Sequence, residues 1–99
     1  SALTDLILAN NKLTSLPNSF GNLSALTALS LSENQLSSLP HSFGRLSALT
    51  VLHLSQNRLR SLPDTFGRLT ALSYLDLENN NFDGNLKHAI QQRFNFAKI

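Results

Sequence analysis

The sequence SLPNSFGNLSAL occupies residues 15–26, recurs as SLPHSFGRLSAL at 38–49, and recurs again as SLPDTFGRLTAL at 61–72. The copies lie 23 residues apart, so the chain is built from a repeating unit rather than from independent elements. A unit of this size buries too few apolar side chains to offset the ordering of its own backbone. The copies are therefore expected to stack as successive coils around one shared core.

Aligned on this unit, the chain shows four registers, which start near residues 2, 25, 48 and 71. Each register begins with three leucines in the same spacing. The second and third leucines of each set are separated by one residue, and this alternation is typical of a strand. The sets are Leu3, Leu6 and Leu8; Leu26, Leu29 and Leu31; Leu49, Leu52 and Leu54; and Leu72, Leu75 and Leu77. We predict four short parallel strands in which Leu29, Leu52 and Leu75 lie side by side.

One asparagine follows each predicted strand at a constant distance: Asn11, Asn34, Asn57 and Asn80. The chain must turn there, and a carboxamide can both donate to and accept from the backbone groups that the turn leaves unpaired. We predict an internal ladder of asparagines. The alternative is four solvated side chains without a common role.

The quoted stretch must carry the chain back from the end of one strand to the start of the next. Its leucines and phenylalanines are expected to fill the outer core, its prolines to end the extended segment, and its glycines to permit a turn that a Cβ would obstruct. These positions are Leu16, Leu39 and Leu62; Pro17, Pro40 and Pro63; Phe20, Phe43 and Phe66; and Gly21, Gly44 and Gly67.

The fourth register departs from the pattern after Phe82, which divides the chain into repeats over 1–82 and a different segment over 83–99. Apolar residues there recur at spacings of three and four: Leu86, Ala89, Ile90, Phe94 and Ala97. This pattern predicts a capping helix over 86–97, with Asp83 and Asn85 as candidate N-caps. No such cover precedes the first coil, so we expect a longer parent protein or self-association through the N-terminal repeat.

The pattern L-x-x-L-x-L-x-x-N-x-L-x-x-L-P-x-x-F-G-x-L, which spans residues 3–82, resembles the leucine-rich repeat in its 23-residue form. The resemblance implies an α/β, right-handed, curved solenoid with short parallel strands on its concave face and irregular or short helical turns on its convex face. The L-P-x-x-F-G-x-L version is similar to intracellular and bacterial members, including secreted bacterial effectors and Ras-binding scaffolds. A protein partner, and no cofactor, is what the resemblance implies.

Composition narrows the function further. The 99 residues are 41% hydrophobic and 14% charged, which fits a single globular domain, and the net charge is only +2. The absence of cysteine excludes disulfides and thiolate chemistry and favours the cytoplasm. The resemblance to bacterial effectors adds the cytoplasm of a host cell that receives a bacterial protein. No apolar run or signal-peptide pattern occurs, so we expect a soluble chain.

Function is expected at the outward positions that differ between repeats, because the inward positions are fixed by the core. Small and apolar residues in the early repeats give way to an aromatic residue and carboxylates in the fourth, which suggests the anchor and rim of a protein interface. The candidate partner-binding residues are Asp5, Ile7, Ala28, Ser30, Val51, His53, Tyr74, Asp76, Glu78 and Arg58. The alternative is a row of ordinary solvated strand residues.

Ser30, His53 and Asp76 occupy one column on successive predicted strands, in the order of a nucleophile, a base and an orienting carboxylate. No glycine nest or helix N-terminus accompanies Ser30 as an oxyanion hole, so we predict no enzymatic activity and instead a surface pair between His53 and Asp76. Adding Glu78 to that pair gives too few ligands for a zinc site, so no metal is expected.

The arginines Arg45, Arg58, Arg60 and Arg68 form only a mild basic edge, without the stacking aromatics of a nucleic-acid site. The sequence therefore favours a non-enzymatic module that recognises a protein. The resemblance implies that such a module is the targeting part of a larger effector or signalling protein. The alternative is a structural or engineered repeat fragment that self-associates through its uncovered first repeat.

Overall fold

The computed structural model describes residues 3–99. It contains one parallel sheet whose strands lie in chain order: β1 (Asp5–Ile7), β2 (Ala28–Ser30), β3 (Val51–His53) and β4 (Tyr74–Asp76). In the sheet register Leu6 pairs with Leu29, Leu29 with Leu52, and Leu52 with Leu75. The predicted alignment of the leucines is therefore confirmed, and the chain closes one coil every 23 residues.

The framework leucines point into a single core between the sheet and the returning segments. In the second and third coils they are fully shielded, with Leu31, Leu52 and Leu54 at 0% exposure and Leu29 at 1%. Parallel strands normally need cover on both faces, yet here only one face packs on the core. The other face of the sheet is left for contact.

Short 3₁₀ helices form the return legs, as the resemblance implied for the convex side: Asn18–Asn22, His41–Arg45 and Asp64–Arg68. Each begins directly after a proline in extended conformation. The rings of Phe20, Phe43 and Phe66 stack nearly parallel, with centroids 6.2 and 6.0 Å apart. The repeated stretch thus places one aromatic ring per coil in a continuous column.

The glycines of the return legs are not equivalent. A Cβ added at Gly44 would lie 2.5 Å from the carbonyl oxygen of Thr65, and one at Gly21 would collide with Ser42 in the same way. At Gly67 the nearest atom is 3.4 Å away, on the flexible side chain of Arg93. The predicted need for glycine is therefore confirmed between coils, but it does not extend to Gly67.

The asparagine ladder is present, and Asn57 shows its pattern. Its Nδ2 donates to the carbonyls of Leu31 at 3.0 Å and Leu54 at 3.1 Å, while its Oδ1 accepts from the backbone of Leu36 at 3.1 Å. Asn34 and Asn80 repeat these bonds in their own coils. Within residues 3–99, Asn11 is exposed and bonds only to carbonyls of the first coil.

The residue before each ladder asparagine has a left-handed backbone, with φ between 58° and 60°: Asn10, Glu33, Gln56 and Asn79. This conformation turns the chain sharply out of the strand. None of the four positions carries glycine, so the sequence predicts a turn here but not its left-handed backbone. Stacking holds the strained residues in place.

The C-terminal helix α1 spans Gly84–Arg93 and ends earlier than the predicted 86–97. Asp83 caps it as predicted, accepting a hydrogen bond of 2.8 Å from the backbone of Leu86, whereas Asn85 lies inside the helix. Phe94 packs edge-on against Phe66 at 5.6 Å and extends the aromatic column. The helix thus covers the last return leg.

The residues after α1 run back along the sheet instead of continuing the helix, so the predicted helical position of Ala97 is wrong. Lys98 forms a parallel bridge with Asp76. Its N–H donates to Leu75 at 2.9 Å, and its carbonyl accepts from Leu77 at 2.7 Å. The physical reason is that the outer edge of β4 carries backbone groups that need partners.

The first coil is the least covered part of the core, as the sequence led us to expect. Leu6 and Leu8 are only partly buried, and Leu3 is 47% exposed. Across residues 3–99, no helix is both long and apolar enough to cross a membrane.

Candidate partner-binding surface

The register of the sheet arranges the outward side chains in two straight rows. The first row contains Asp5, Ala28, Val51 and Tyr74, and the second contains Ile7, Ser30, His53 and Asp76. Neighbouring positions in a row belong to adjacent strands, about 4.8 Å apart. Eight of the ten predicted partner-binding residues therefore lie together on the concave sheet.

The early coils form an apolar depression on this sheet, which we call the concave groove. Its volume is about 340 Å³, and it is lined by Asp5, Leu6, Ile7, Ala28, Leu29, Ser30, Val51 and His53. Ile7 is 79% exposed, and it forms one apolar patch with Ala28 and Val51. Leu6 and Leu29 were predicted only as core residues, yet they also reach the floor of the groove.

Two aromatic side chains, His53 and Tyr74, form a cluster with the Lys98 side chain at the side of the groove. The His53 and Tyr74 rings are 4.9 Å apart between centroids, and the Lys98 Nζ lies 5.1 Å from the centroid of the Tyr74 ring. The Tyr74 side chain raises the pKa of Lys98 above its ordinary value, and the carboxylates of Asp76 and Glu78 add to this. Lys98 thus places a positive charge at this end of the face.

Lys98 was absent from the sequence-based set because it belongs to no leucine-bearing repeat. It follows its bridge partner Asp76 after 22 residues and takes the next place in the second row. The signal available in the sequence was the alternation of Ala97, Lys98 and Ile99, which matches Leu75, Asp76 and Leu77 in polarity. The apolar spacings of three and four predict a helix at Ala97 instead.

The column Ser30, His53 and Asp76 does not form a relay. Across residues 3–99 no hydrogen bond or ion pair joins these three side chains, and the expected pair between His53 and Asp76 is wrong. The His53 ring turns towards Tyr74, and the Asp76 carboxylate accepts a hydrogen bond of 3.1 Å from the Glu78 backbone. Neighbouring positions in the sheet register are therefore not enough to bring His53 and Asp76 into a hydrogen bond.

The remaining candidates lie outside the strands. Glu78 and Arg58 are exposed on the turns that follow β4 and β3. In the part of the chain that the structure describes, no group of three or more histidine, cysteine or acidic side chains is placed to hold a metal ion. The single contact of salt-bridge length found within 3–99 joins His41 Nδ1 and Asp64 Oδ1 on the convex side, at 3.1 Å between two well-exposed side chains.

Comparison with known proteins agrees with this architecture. The family model described as leucine rich repeat matches residues 1–59 and 39–82. Among the curated proteins, none matches this chain.

Several solved structures match. A leucine-rich repeat protein of Leptospira interrogans is 36% identical, with a TM-score of 0.91 over 98% of this chain and 25% of its own. The BIR2 ectodomain of Arabidopsis thaliana is 32% identical, with a TM-score of 0.71 over 82% of this chain and 44% of its own. An internalin of Listeria monocytogenes is 29% identical, with a TM-score of 0.82 over 97% of this chain and 28% of its own.

The chain thus spans a quarter of the Leptospira protein and less than half of the other two. The matched model covers all four repeats, and the fold is a leucine-rich-repeat solenoid that ends in a helix. On these grounds the chain belongs to the leucine-rich repeat family.

Proposed function

We propose that this chain is a non-enzymatic recognition module that binds a protein partner through its concave face. Leucine-rich repeats generally mediate protein–protein interaction, and their domains are typically not enzymes. Within a larger effector or signalling protein, such a module directs the whole protein to its target. The observation that carries the proposal is the concave groove, where an exposed Ile7 stands beside Ala28 and Val51 on a rigid sheet.

Rigidity matters because association costs translational and conformational freedom, and a surface that is already ordered loses less of it. The ladder asparagines and the continuous core fix the backbone beneath both rows of outward side chains. The side chains of the groove are also short or branched, with few rotamers to lose. The free energy gained from the apolar contact is therefore offset by only a small loss of conformational entropy on binding.

The test is affinity capture from source cells with three forms of the immobilised chain. The concave variant carries Ile7→Ser and Tyr74→Ser; the matched control carries Arg45→Ser and Arg68→Ser on the convex side. We expect a protein that is retained by the wild type and the control but lost by the concave variant, and that binds the purified chain at one to one. Equal recovery by all three forms would refute the proposal.

A second candidate function is structural, namely stacking of a repeat fragment through its first coil. It is favoured by the partial exposure of Leu3, Leu6 and Leu8, whose counterparts in the second and third coils are buried. An apolar face of this kind favours cover by another molecule. Light scattering tests it: the molar mass should rise with concentration, whereas a constant monomer mass would exclude it.

A further inference from the structure

Building on the concave-face function proposed above, we infer that the concave groove receives a partner segment carrying a large apolar side chain next to a lysine or arginine. The apolar part of this requirement follows from the floor of the groove, and the basic part from the distribution of charge around it.

The groove offers a subsite for one large side chain. Ile7 is 79% exposed and forms one wall, while Ala28 and Val51 are half-buried in the neighbouring row. In its own row the small Ala28 lies between Asp5 and Val51, and it leaves a depression next to the branched side chains of Val51 and Ile7. At about 340 Å³, the volume lies at the lower end of the ~300–1,000 Å³ typical of ligand pockets. Such a depression suits a buried anchor of the kind that dominates interface energetics.

One charged residue, Asp5, lies among the eight lining residues. Its side chain is exposed, and its hydrogen bond within residues 3–99 is a long one, 3.5 Å from the Thr27 hydroxyl. No ion pair in the described chain neutralises it. A partner cation beside the apolar anchor would therefore meet an uncompensated carboxylate at the rim of the groove.

The concave face as a whole also carries a net negative charge, like Asp5. Counting each strand, the five residues after it and Lys98, the concave side carries four of the six acidic residues and three of the eight basic ones. Its net charge is −1, whereas the rest of the chain carries +3. Lys98 is held at the far end by Tyr74 and Asp76. Close to this face, the local charge therefore favours a basic segment over an acidic one.

The chain provides its own spectroscopic reporters for the test. Val51 is the single valine, and the three isoleucines are Ile7, Ile90 and Ile99. Two of these methyl-bearing residues line the groove, and two lie in the C-terminal cap. Methyl labelling of isoleucine and valine thus yields a sparse spectrum with two reporters in the groove and two internal controls.

The probe is a library of random peptides displayed on phage and selected on the full 99-residue chain at low salt. We expect the enriched peptides to share an aromatic or aliphatic residue adjacent to lysine or arginine. Titrated into the labelled chain, they should shift the methyl signals of Ile7 and Val51 and leave those of Ile90 and Ile99 unchanged.

Two variants test the contacts. Ile7→Ser should weaken peptide binding about tenfold. Asp5→Asn should weaken it about two- to fivefold at low salt and have no effect at 1 M salt.

Arg45→Ser on the convex side is the matched control, and it should bind as the wild type does. If peptides shift Ile7 and Val51 but carry no basic residue, or if Asp5→Asn binds equally well at low salt, the inference is overturned while concave-face binding stands. If the selected peptides leave both groove reporters unshifted, the proposed function fails along with the inference.

Discussion

Asn34, Asn57 and Asn80 each join three stretches of backbone. The side chain of Asn57 contacts its own coil through Leu54, the preceding strand through Leu31, and the preceding turn through Leu36. Buried at 6% exposure, it replaces water for all of these groups. Neither aspartate nor glutamine would fit, because the first lacks the donor and the second displaces it by one methylene.

Replacing Asn57 by alanine should therefore lower the free energy of unfolding by about 2–4 kcal/mol, since it leaves buried backbone groups without partners. The matched control is Asn11→Ala. Asn11 is exposed and bonds only within its own coil, so its loss should cost less than about 1 kcal/mol. Urea unfolding followed by circular dichroism measures both. Equal losses would show that the ladder does not stabilise the stack.

Some residue-scale features follow from the sequence and others do not. The recurrence of asparagine predicted the ladder because each copy had to meet the same geometry. The left-handed residues, Glu33 and Gln56 among them, gave no signal, since their backbone is imposed by stacking against neighbouring coils. The contact of His53 with Tyr74 rather than Asp76 also depends on a rotamer choice that the register leaves open.

At the scale of elements, the helix and the tail act as one cap for the last coil. The helix α1 covers the return leg, with Arg93 donating to the Gly67 carbonyl at 2.6 Å. The tail covers the sheet edge through Lys98. Phe94 lies between them, at 6% exposure, in contact with Phe66. Its packing is expected to hold both parts in place.

Phe94→Ala should accordingly lower the free energy of unfolding by about 3–5 kcal/mol, because it opens a cavity at the end of the aromatic column. It should also remove the exchange protection of the Lys98 and Leu77 amides, whose hydrogen bonds belong to the tail. Phe96→Ala is the matched control. Phe96 is 41% exposed, so its loss should cost about 1 kcal/mol or less. Retained protection in Phe94→Ala would mean that the tail folds independently.

The cap also marks the limit of sequence-based prediction for whole elements. A helix was predicted from apolar spacings of three and four, and the capping role of Asp83 was correct. The same spacings continued through Ala97, although the chain there had already become extended. The sheet edge needed a partner, and this tertiary requirement outweighed the local helical pattern.

At the scale of the molecule, stability should vary along the stack, because each coil contacts only its neighbours. Four equivalent hydrogen bonds report on this variation. The amide of Leu8 donates to Ser30 and that of Leu31 to His53, both at 2.8 Å; the Leu54 and Leu77 amides make the same bond in later coils. The bonds are alike in length and position, so differences in exchange rate reflect how well each coil is covered.

Hydrogen exchange should therefore rank the Leu8 amide as about tenfold less protected than that of Leu31, with Leu54 protected like Leu31. The physical reason is the cover of the core: Leu8 is partly buried, whereas Leu31 and Leu54 are fully buried. Measured at low concentration, equal protection of Leu8 and Leu31 would contradict the proposed gradient. If the measurement at high protein concentration shows a rise in protection at the Leu8 amide alone, a second copy covers the first coil, because stacking shields that face alone. The structural alternative requires this result.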